Sequence, residues 1–340
     1  MQSKVNNKLT SNVQNSELIH KVNTGYVLSK IKDKLINELE HRESIECLHG
    51  LKYNEKHLPD YTDKAVQYLY LLRYFYAYSY EFFMIFNRMI TLSRKYKVTF
   101  DNTINFLSIG CGAAYDYSVL KTIRDSIPEL KSSIVYRGID CVTWDKFISI
   151  SDKDTFEFYH DDINNWMQNN QKLFLESDVI FFPKSITELS EDYFISLLNN
   201  FDKMHIDLQR SKDFVFIIGS FRNESIKDDR DHFCEYVKKF AEAFNYKIDY
   251  DGFRDGNNIL TDKRIPNNDI KVGNTVYKYS EYDKAILHEL TGLKNYCNKC
   301  VSGVCQCAVP NACDDAIVFK HPITNTSRIY YWIAYLHKKG

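Results

Sequence analysis

Asn105-Phe106-Leu107-Ser108-Ile109-Gly110-Cys111-Gly112-Ala113-Ala114-Tyr115-Asp116 is the stretch on which the reading of this chain turns. Phe106 to Ile109 is a short apolar, partly β-branched run, which reads as a buried strand. Two glycines follow with one residue between them. Tyr117 to Arg124 then takes a helical pattern, with Val119, Leu120 and Ile123 on one side. A strand, a Gly-x-Gly turn and a helix make a ligand-cradling unit. Glycine lets the backbone come close to a ligand, and the exposed amides at the helix start hold polar or anionic groups.

Two frames fit the turn. A dinucleotide site wants G-x-G-x-x-G/A, with a small sixth residue so that helix and strand pack closely. Here the sixth residue is Tyr115, which counts against NAD or FAD. The other frame is G-x-G-x-G with Ala114 in the last glycine's place. It resembles the first motif of class I S-adenosylmethionine-dependent methyltransferases, where a Gly-Cys-Gly core is common. Ser108 stands where that family usually has an acid. The plain structural alternative is a turn that needs small residues only for packing.

The 340 residues carry 44 Lys+Arg against 45 Asp+Glu, so there is no broad electrostatic argument for nucleic acid. The length allows one large domain with an insertion, or two domains. A hydrophobic share of 44% and a charged share of 26% are ordinary for a globular protein in water. The N-terminal residues are polar and lack the apolar segment of a signal peptide. The most hydrophobic window, Tyr68 to Ile90, carries Arg73, Glu81 and Arg88, so it reads as a buried helix rather than a membrane span. The expectation is a cytoplasmic protein with no membrane partner.

Along the chain, residues 1 to about 23 look loosely attached, and 27 to 48 give a helix with Gly50 as its stop. Residues 63 to 95 read as one long helix or two joined ones, apolar on nearly every side and therefore enclosed. The resemblance adds that helices in residues 1–99 form a cap or lid over the cofactor. From 104 strands and helices alternate, as in a parallel α/β sheet. The strands are Ile104 to Ile109, Ile134 to Ile139, Thr155 to Tyr159, Asp178 to Phe182 and Phe214 to Gly219. Helices run from about 115 to 127, from about 191 to 208 and over Asp231 to Phe244. Ala316 to Phe319 and Ser327 to His337 read as two strands whose short connection makes them antiparallel. The expected fold is a doubly wound seven-stranded α/β sheet ending in an antiparallel hairpin, which resembles the class I methyltransferase fold. It would occupy residues 100–248 and 315–340, with an insertion over 249–314.

The candidate ligand groups follow the strands. Asp140 ends the second strand, thirty residues after Gly110. A carboxylate there can accept hydrogen bonds from both hydroxyls of a ribose; otherwise it is a helix cap or a solvated loop acid. Asp161 and Asp162 follow the third strand. The resemblance implies that one of them accepts a hydrogen bond from the adenine amino group, and Asp162 equally suits a helix N-cap. After the fourth strand comes Pro183-Lys184-Ser185-Ile186-Thr187-Glu188. Lys184 stands where carbon-5 cytosine enzymes need a cysteine nucleophile, which disfavours that class. The Asn/Asp-Pro-Pro-aromatic motif of many amino methyltransferases is absent. Lys184 suits an anionic substrate group and Glu188 a base or amine-steering acid, with two surface residues as the plain reading. The resemblance thus implies Ser108, Gly110, Cys111, Gly112, Asp140, Asp161, Asp162 and Pro183 for cofactor, and Lys184 and Glu188 as catalytic candidates.

Cys297, Cys300, Cys305, Cys307 and Cys313 fall within seventeen residues, whereas the rest of the chain holds four cysteines. Cys297-x-x-Cys300 is half of a common zinc knuckle, because one turn presents both sulfurs to a tetrahedral ion. Cys305 with Cys307 or Cys313 completes four sulfurs, and an iron–sulfur cluster fits the same ligands. The alternative is five unligated thiols.

Two functions are therefore expected from the resemblance. One is a methyltransferase acting on a small molecule, protein or RNA. The other is a non-catalytic S-adenosylmethionine-binding or ribosome-assembly module of the same fold. The second also rests on a weak likeness of the aromatic helix, Ile186-Thr187-Glu188-Leu189 and the cysteines to methyltransferase-like assembly factors. A nicotinamide enzyme is a distant third.

Overall fold

The structure is a computed structural model in which residues 24–41, 61–100, 102–127, 132–204, 212–221, 226–250, 269–276 and 325–338 are described. The chain divides into two compact units. One comprises Met1–Glu81, Trp144–Ile148 and Gly273–Ser327; the other comprises Phe82–Thr143, Ser149–Val272 and Arg328–Gly340.

In the first unit, helix α1 spans Thr24–Glu40 and buries Leu28, Ile31, Leu35 and Leu39, a stripe at helical spacing. Helix α2 spans Lys64–Lys95 without a break, and its first half belongs to this unit. That half holds the segment 144–148 by polar and aromatic contacts together. The Lys64 ammonium lies 2.8 Å from Asp145 Oδ1, and the Tyr68 hydroxyl donates to Asp145 Oδ2 at 2.6 Å. Trp144 packs among Tyr61 and Tyr70, and Phe147 meets Tyr68 edge to face.

The second unit contains β1 (Thr103–Ile109), α3 (Tyr115–Ser126), β2 (Ser133–Asp140) and β3 (Thr155–His160). It continues with α4 (Ile163–Asn169), α5 (Gln171–Leu175), β4 (Val179–Pro183), a 3₁₀ turn (Ile186–Glu188), α6 (Glu191–Lys203), β5 (Phe214–Ser220), α7 (Ile226–Ala243) and β6 (Tyr246–Tyr250). Strands β7 (Asp269–Val276) and β8 (Asn325–Lys338) complete the described elements. The sheet runs β3-β2-β1-β4-β5-β8-β6, with β7 pairing β8 off this path. The first five strands are parallel, and β8 is antiparallel to both β5 and β6.

The doubly wound sheet with an antiparallel end is thus the one expected, seven strands in its path with β7 as an eighth beside β8. Ala316–Phe319 lies outside the described residues. The strand beside β8 is β6, which the sequence pattern does not mark. Tyr246 is buried and Lys247 exposed, an alternation too short to stand out beside α7.

Consecutive residues of a strand face opposite sides of the sheet, and β4 shows what this achieves. Phe181 meets Phe82 and Phe86 of α2 edge to face, both at 5.1 Å between ring centroids. Phe182 meets Tyr236 of α7 at 4.9 Å on the other side. Two neighbouring phenylalanines therefore anchor two helical layers, each burial contributing about 1.5–3 kcal/mol. At the other end of the sheet, Arg124 of α3 pairs with the fully buried Asp154. Asp154 also accepts from the Tyr117 hydroxyl and the Ile134 amide, both at 2.9 Å. That ties helix, strand and the approach to β3 at one carboxylate.

Candidate active site at the carboxyl ends of the strands

The strand order reverses at β1, which lies between β2 and β4, and ligands of open α/β sheets bind at such a point. The residues there are built from the backbone upward. After Ile109 the chain enters the left-handed region at Gly110 (φ 70°), Gly112 (φ 55°) and Ala114 (φ 58°), the last of which precedes α3. An L residue in that conformation costs about 1–2 kcal/mol, least for a small one, so Ala114 is tolerated in the third glycine's place. The amides of Gly110 and Cys111 both donate to the Ile139 carbonyl, at 2.8 and 3.2 Å. These bonds fasten the turn to the end of β2.

Asp140 is where β2 ends, and its carboxylate lies against the same turn. The Gly112 amide donates to Oδ2 at 2.8 Å and the Val142 amide to Oδ1 at 2.9 Å. The neighbouring strand end is bound to it as well, because the Asp161 amide donates to the Asp140 carbonyl at 3.1 Å.

The two acids after β3 have different surroundings. Asp162 is the N-cap of α4: its Oδ1 accepts the Asn165 amide at 2.9 Å and the Tyr193 hydroxyl. Burial, and then the bond to Asp162, push the Tyr193 phenol well up from its ordinary range. Asp161 accepts from the Asp162 amide and from the Asn165 side chain at 2.9 and 2.8 Å, local contacts that leave it outside the helix cap.

After β4, Lys184 takes a left-handed conformation with φ 61°, and its amide donates to the carbonyls of Phe182 and Ser220. Strain of this kind in a bulky residue costs about 1–3 kcal/mol and persists only where surroundings over-determine it. Ser185 then turns back, its hydroxyl donating to the Ile109 carbonyl at 2.5 Å. Glu188 is exposed at the end of the 3₁₀ turn. Burial, and then Asp140, raise the Cys141 thiol, with smaller contributions from Glu188 and Asp162. The ends of β2, β3 and β4 thus form one acidic rim.

Below the turn lies a group the sequence reading does not single out. Asp116, in the first turn of α3, is only 1% exposed. Its Oδ1 accepts the Tyr136 hydroxyl at 2.8 Å and the Tyr117 amide at 3.0 Å. Burial pushes its carboxyl up to about 6, against the pull of Ser108, Tyr136 and the Tyr117 amide. Cys111 is buried in the same place, and its thiol is pushed up by desolvation, then by Asp140 and Asp116. Gly138 on β2 makes the room: a Cβ there would stand 2.7 Å from Cys111 Sγ. An acid in a first helical turn usually reads as a solvated complement to the helix dipole, which is why Asp116 gave no signal.

These strand ends present hydrogen-bond acceptors. A carboxylate is acceptor-only with room for about four donors, and a ribose with an exocyclic amine presents donors. Asp140 and Asp161 put two such carboxylates on adjacent strand ends, beside a turn whose Gly110 has no Cβ. A groove of about 510 Å³ between α6 and α7 takes in none of these residues. Cys297, Cys300, Cys305, Cys307 and Cys313 lie outside the described residues. Among the described residues no cluster of three or more His, Cys, Asp or Glu is arranged to hold a metal. No described helix is long and apolar enough to cross a membrane.

No family model matches the chain, and no curated protein does. Among solved structures it is similar to the phosphoethanolamine N-methyltransferase 2 of Haemonchus contortus, solved with phosphomonomethylethanolamine and S-adenosylhomocysteine. The identity is 12%, over 86% of this chain and 67% of that one, with a TM-score of 0.29. The topology stands by itself: β8 lies antiparallel between β5 and β6 and a Gly-x-Gly turn follows the central β1, the arrangement expected from the resemblance to the class I S-adenosylmethionine-dependent methyltransferase fold.

Proposed function

We propose that the chain binds S-adenosylmethionine across the ends of β1, β2 and β3 and is a methyltransferase. The observation that carries this is the Asp140 carboxylate, held against the glycine turn by the Gly112 amide at the point where the strand order reverses. In this reading Asp140 accepts the ribose hydroxyls and Asp161 the adenine amine, while Asp162 keeps its cap. Ser108, Gly110, Cys111 and Gly112 shape the seat of the amino-acid end, and Pro183 closes it from β4. When bound, the cofactor supplies an electrophilic methyl group that an acceptor takes in one in-line displacement. The protein's own work is to hold the acceptor in line and exclude water. Lys184, on its left-handed backbone, suits an anionic group of the acceptor, and Glu188 suits its proton or amine.

Two features support a non-catalytic module of the same fold as the second reading: Ser185 seated on Gly110, and Asp140 already held by two amides. Titration calorimetry with S-adenosylmethionine comes first, then transfer of tritiated methyl into a fractionated lysate. Binding with labelling supports the enzyme and identifies the acceptor's class; binding without labelling supports the module; absence of binding removes both. The clustered cysteines support a structural zinc or iron–sulfur site, which elemental analysis of protein purified under reducing conditions tests.

A further inference from the structure

A buried charge is ordinarily paired, because an uncompensated one costs several kcal/mol. Asp116 departs from this rule. Its Oδ1 has two donors, but its Oδ2 is enclosed and completes no hydrogen bond. Ser108 lies near enough to pull the carboxyl down, yet the Ser108 hydroxyl completes no well-formed bond either. The groups facing Asp116 are Ser108 of β1, Cys111 of the turn, Tyr136 of β2 and the Tyr117 amide of its own helix. None of them is a cation. The anion therefore sits under the glycine turn with no counter-charge among the groups that face it. In so dry a place its field reaches further than it would in water.

We propose that Asp116 is the counter-charge for the cationic end of S-adenosylmethionine, a positioning residue that draws the sulfonium and ammonium groups onto the glycine turn from beneath. This rests on the functional reading above. It adds a group outside the strand-end carboxylates, and it gives a use to a carboxylate that stands where an apolar side chain would pack at lower cost. It also gives the binding a pH dependence. Affinity is full while Asp116 is charged and falls as the pH drops through about 6.

The test is calorimetry on the full chain with S-adenosylmethionine and with S-adenosylhomocysteine, whose sulfur is uncharged. Asp116→Asn is expected to weaken S-adenosylmethionine about tenfold at neutral pH, to weaken S-adenosylhomocysteine less, and to flatten the pH profile. Ser108→Asp in the Asp116→Asn background, which returns a carboxylate to the same space, is expected to restore part of the loss. Wild-type affinity and pH profile in folded Asp116→Asn overturns the proposal. Tyr136→Phe covers the case in which Asp116→Asn does not fold. It removes a donor to the charged form, so the midpoint of the pH profile must rise; an unmoved midpoint overturns the proposal equally. If the unaltered chain takes up no S-adenosylmethionine, the functional reading itself has failed, an outcome distinct from every result with the variants.

Discussion

Gly110 and Ser185 are in contact so close that neither position is independent of the other: a Cβ on Gly110 would stand 2.4 Å from Ser185 Cβ and 2.9 Å from its Oγ. The carbonyl just before Gly110 accepts the Ser185 hydroxyl. The end of β1 and the loop after β4 are therefore locked together at the reversal of the sheet. Gly110→Ala meets both this clash and the left-handed φ, and is expected to cost about 2–4 kcal/mol. Ser185→Gly removes the clashing atoms, so the double variant should be less destabilised than the two single costs added together. Urea unfolding of the four proteins measures this coupling; strict additivity would show that the contact is not formed.

Asp116→Asn should stabilise the protein at neutral pH while weakening its ligand. The folded carboxyl titrates near 6 and an ordinary one near 3.8. The folded state thus holds its proton more tightly, so Asp116 lends stability that is fully present below about 3.8 and is lost as the pH rises through about 6. At pH 7 the charged group is a burden on the order of 3 kcal/mol that the amide does not carry. Unfolding curves at several pH values should show the variant's advantage vanish below about pH 4. An equal difference at every pH would contradict this.

Asp161 and Asp162 should separate in opposite ways. Asp162→Ala removes an N-cap and the acceptor of the Tyr193 hydroxyl, and is expected to cost about 1–2 kcal/mol of stability. Asp161→Ala should change the melting temperature less but weaken adenosine-containing ligands more. Parallel thermal melts and titrations decide between the two assignments, and the reverse pattern would exchange them.

Asp154→Ala is expected to be the most damaging of these substitutions. It removes the buried one of the Arg124 guanidinium's two carboxylate partners, leaving only the half-exposed Asp125 at 2.9 Å, and it leaves the Tyr117 hydroxyl and the Ile134 amide without their acceptor. The expected loss is about 3–5 kcal/mol, read by denaturant unfolding. Asp154→Asn keeps an acceptor but no charge, and should recover part of it.

The strands that stand out most plainly in the sequence, β1, β4 and β5, are those enclosed on both faces. Leu107, Ile109, Val179 to Phe182 and Val215 to Ile218 are all buried, so their apolar runs are continuous and stand out locally. β6 did not stand out because five mixed residues become a strand only beside β8, with Tyr246 opposite Lys338 far along the chain. The glycine turn and Asp140 were legible because backbone conformation and strand ends leave local marks. The choice between Asp161 and Asp162 was not legible, because adjacent acids look alike until a helix start takes one of them.

By itself, the sequence determined the chain order of the five parallel strands, the place of the turn and the presence of acids after β2 and β3, since each follows from local periodicity and residue type. Only the tertiary structure decided that Ser185 seats on Gly110, that Asp162 is a cap, and that Asp116 is buried rather than solvated. Those outcomes depend on which distant groups the folded chain brings against a side chain, and on how much water it removes there. Neither is written in the neighbouring residues.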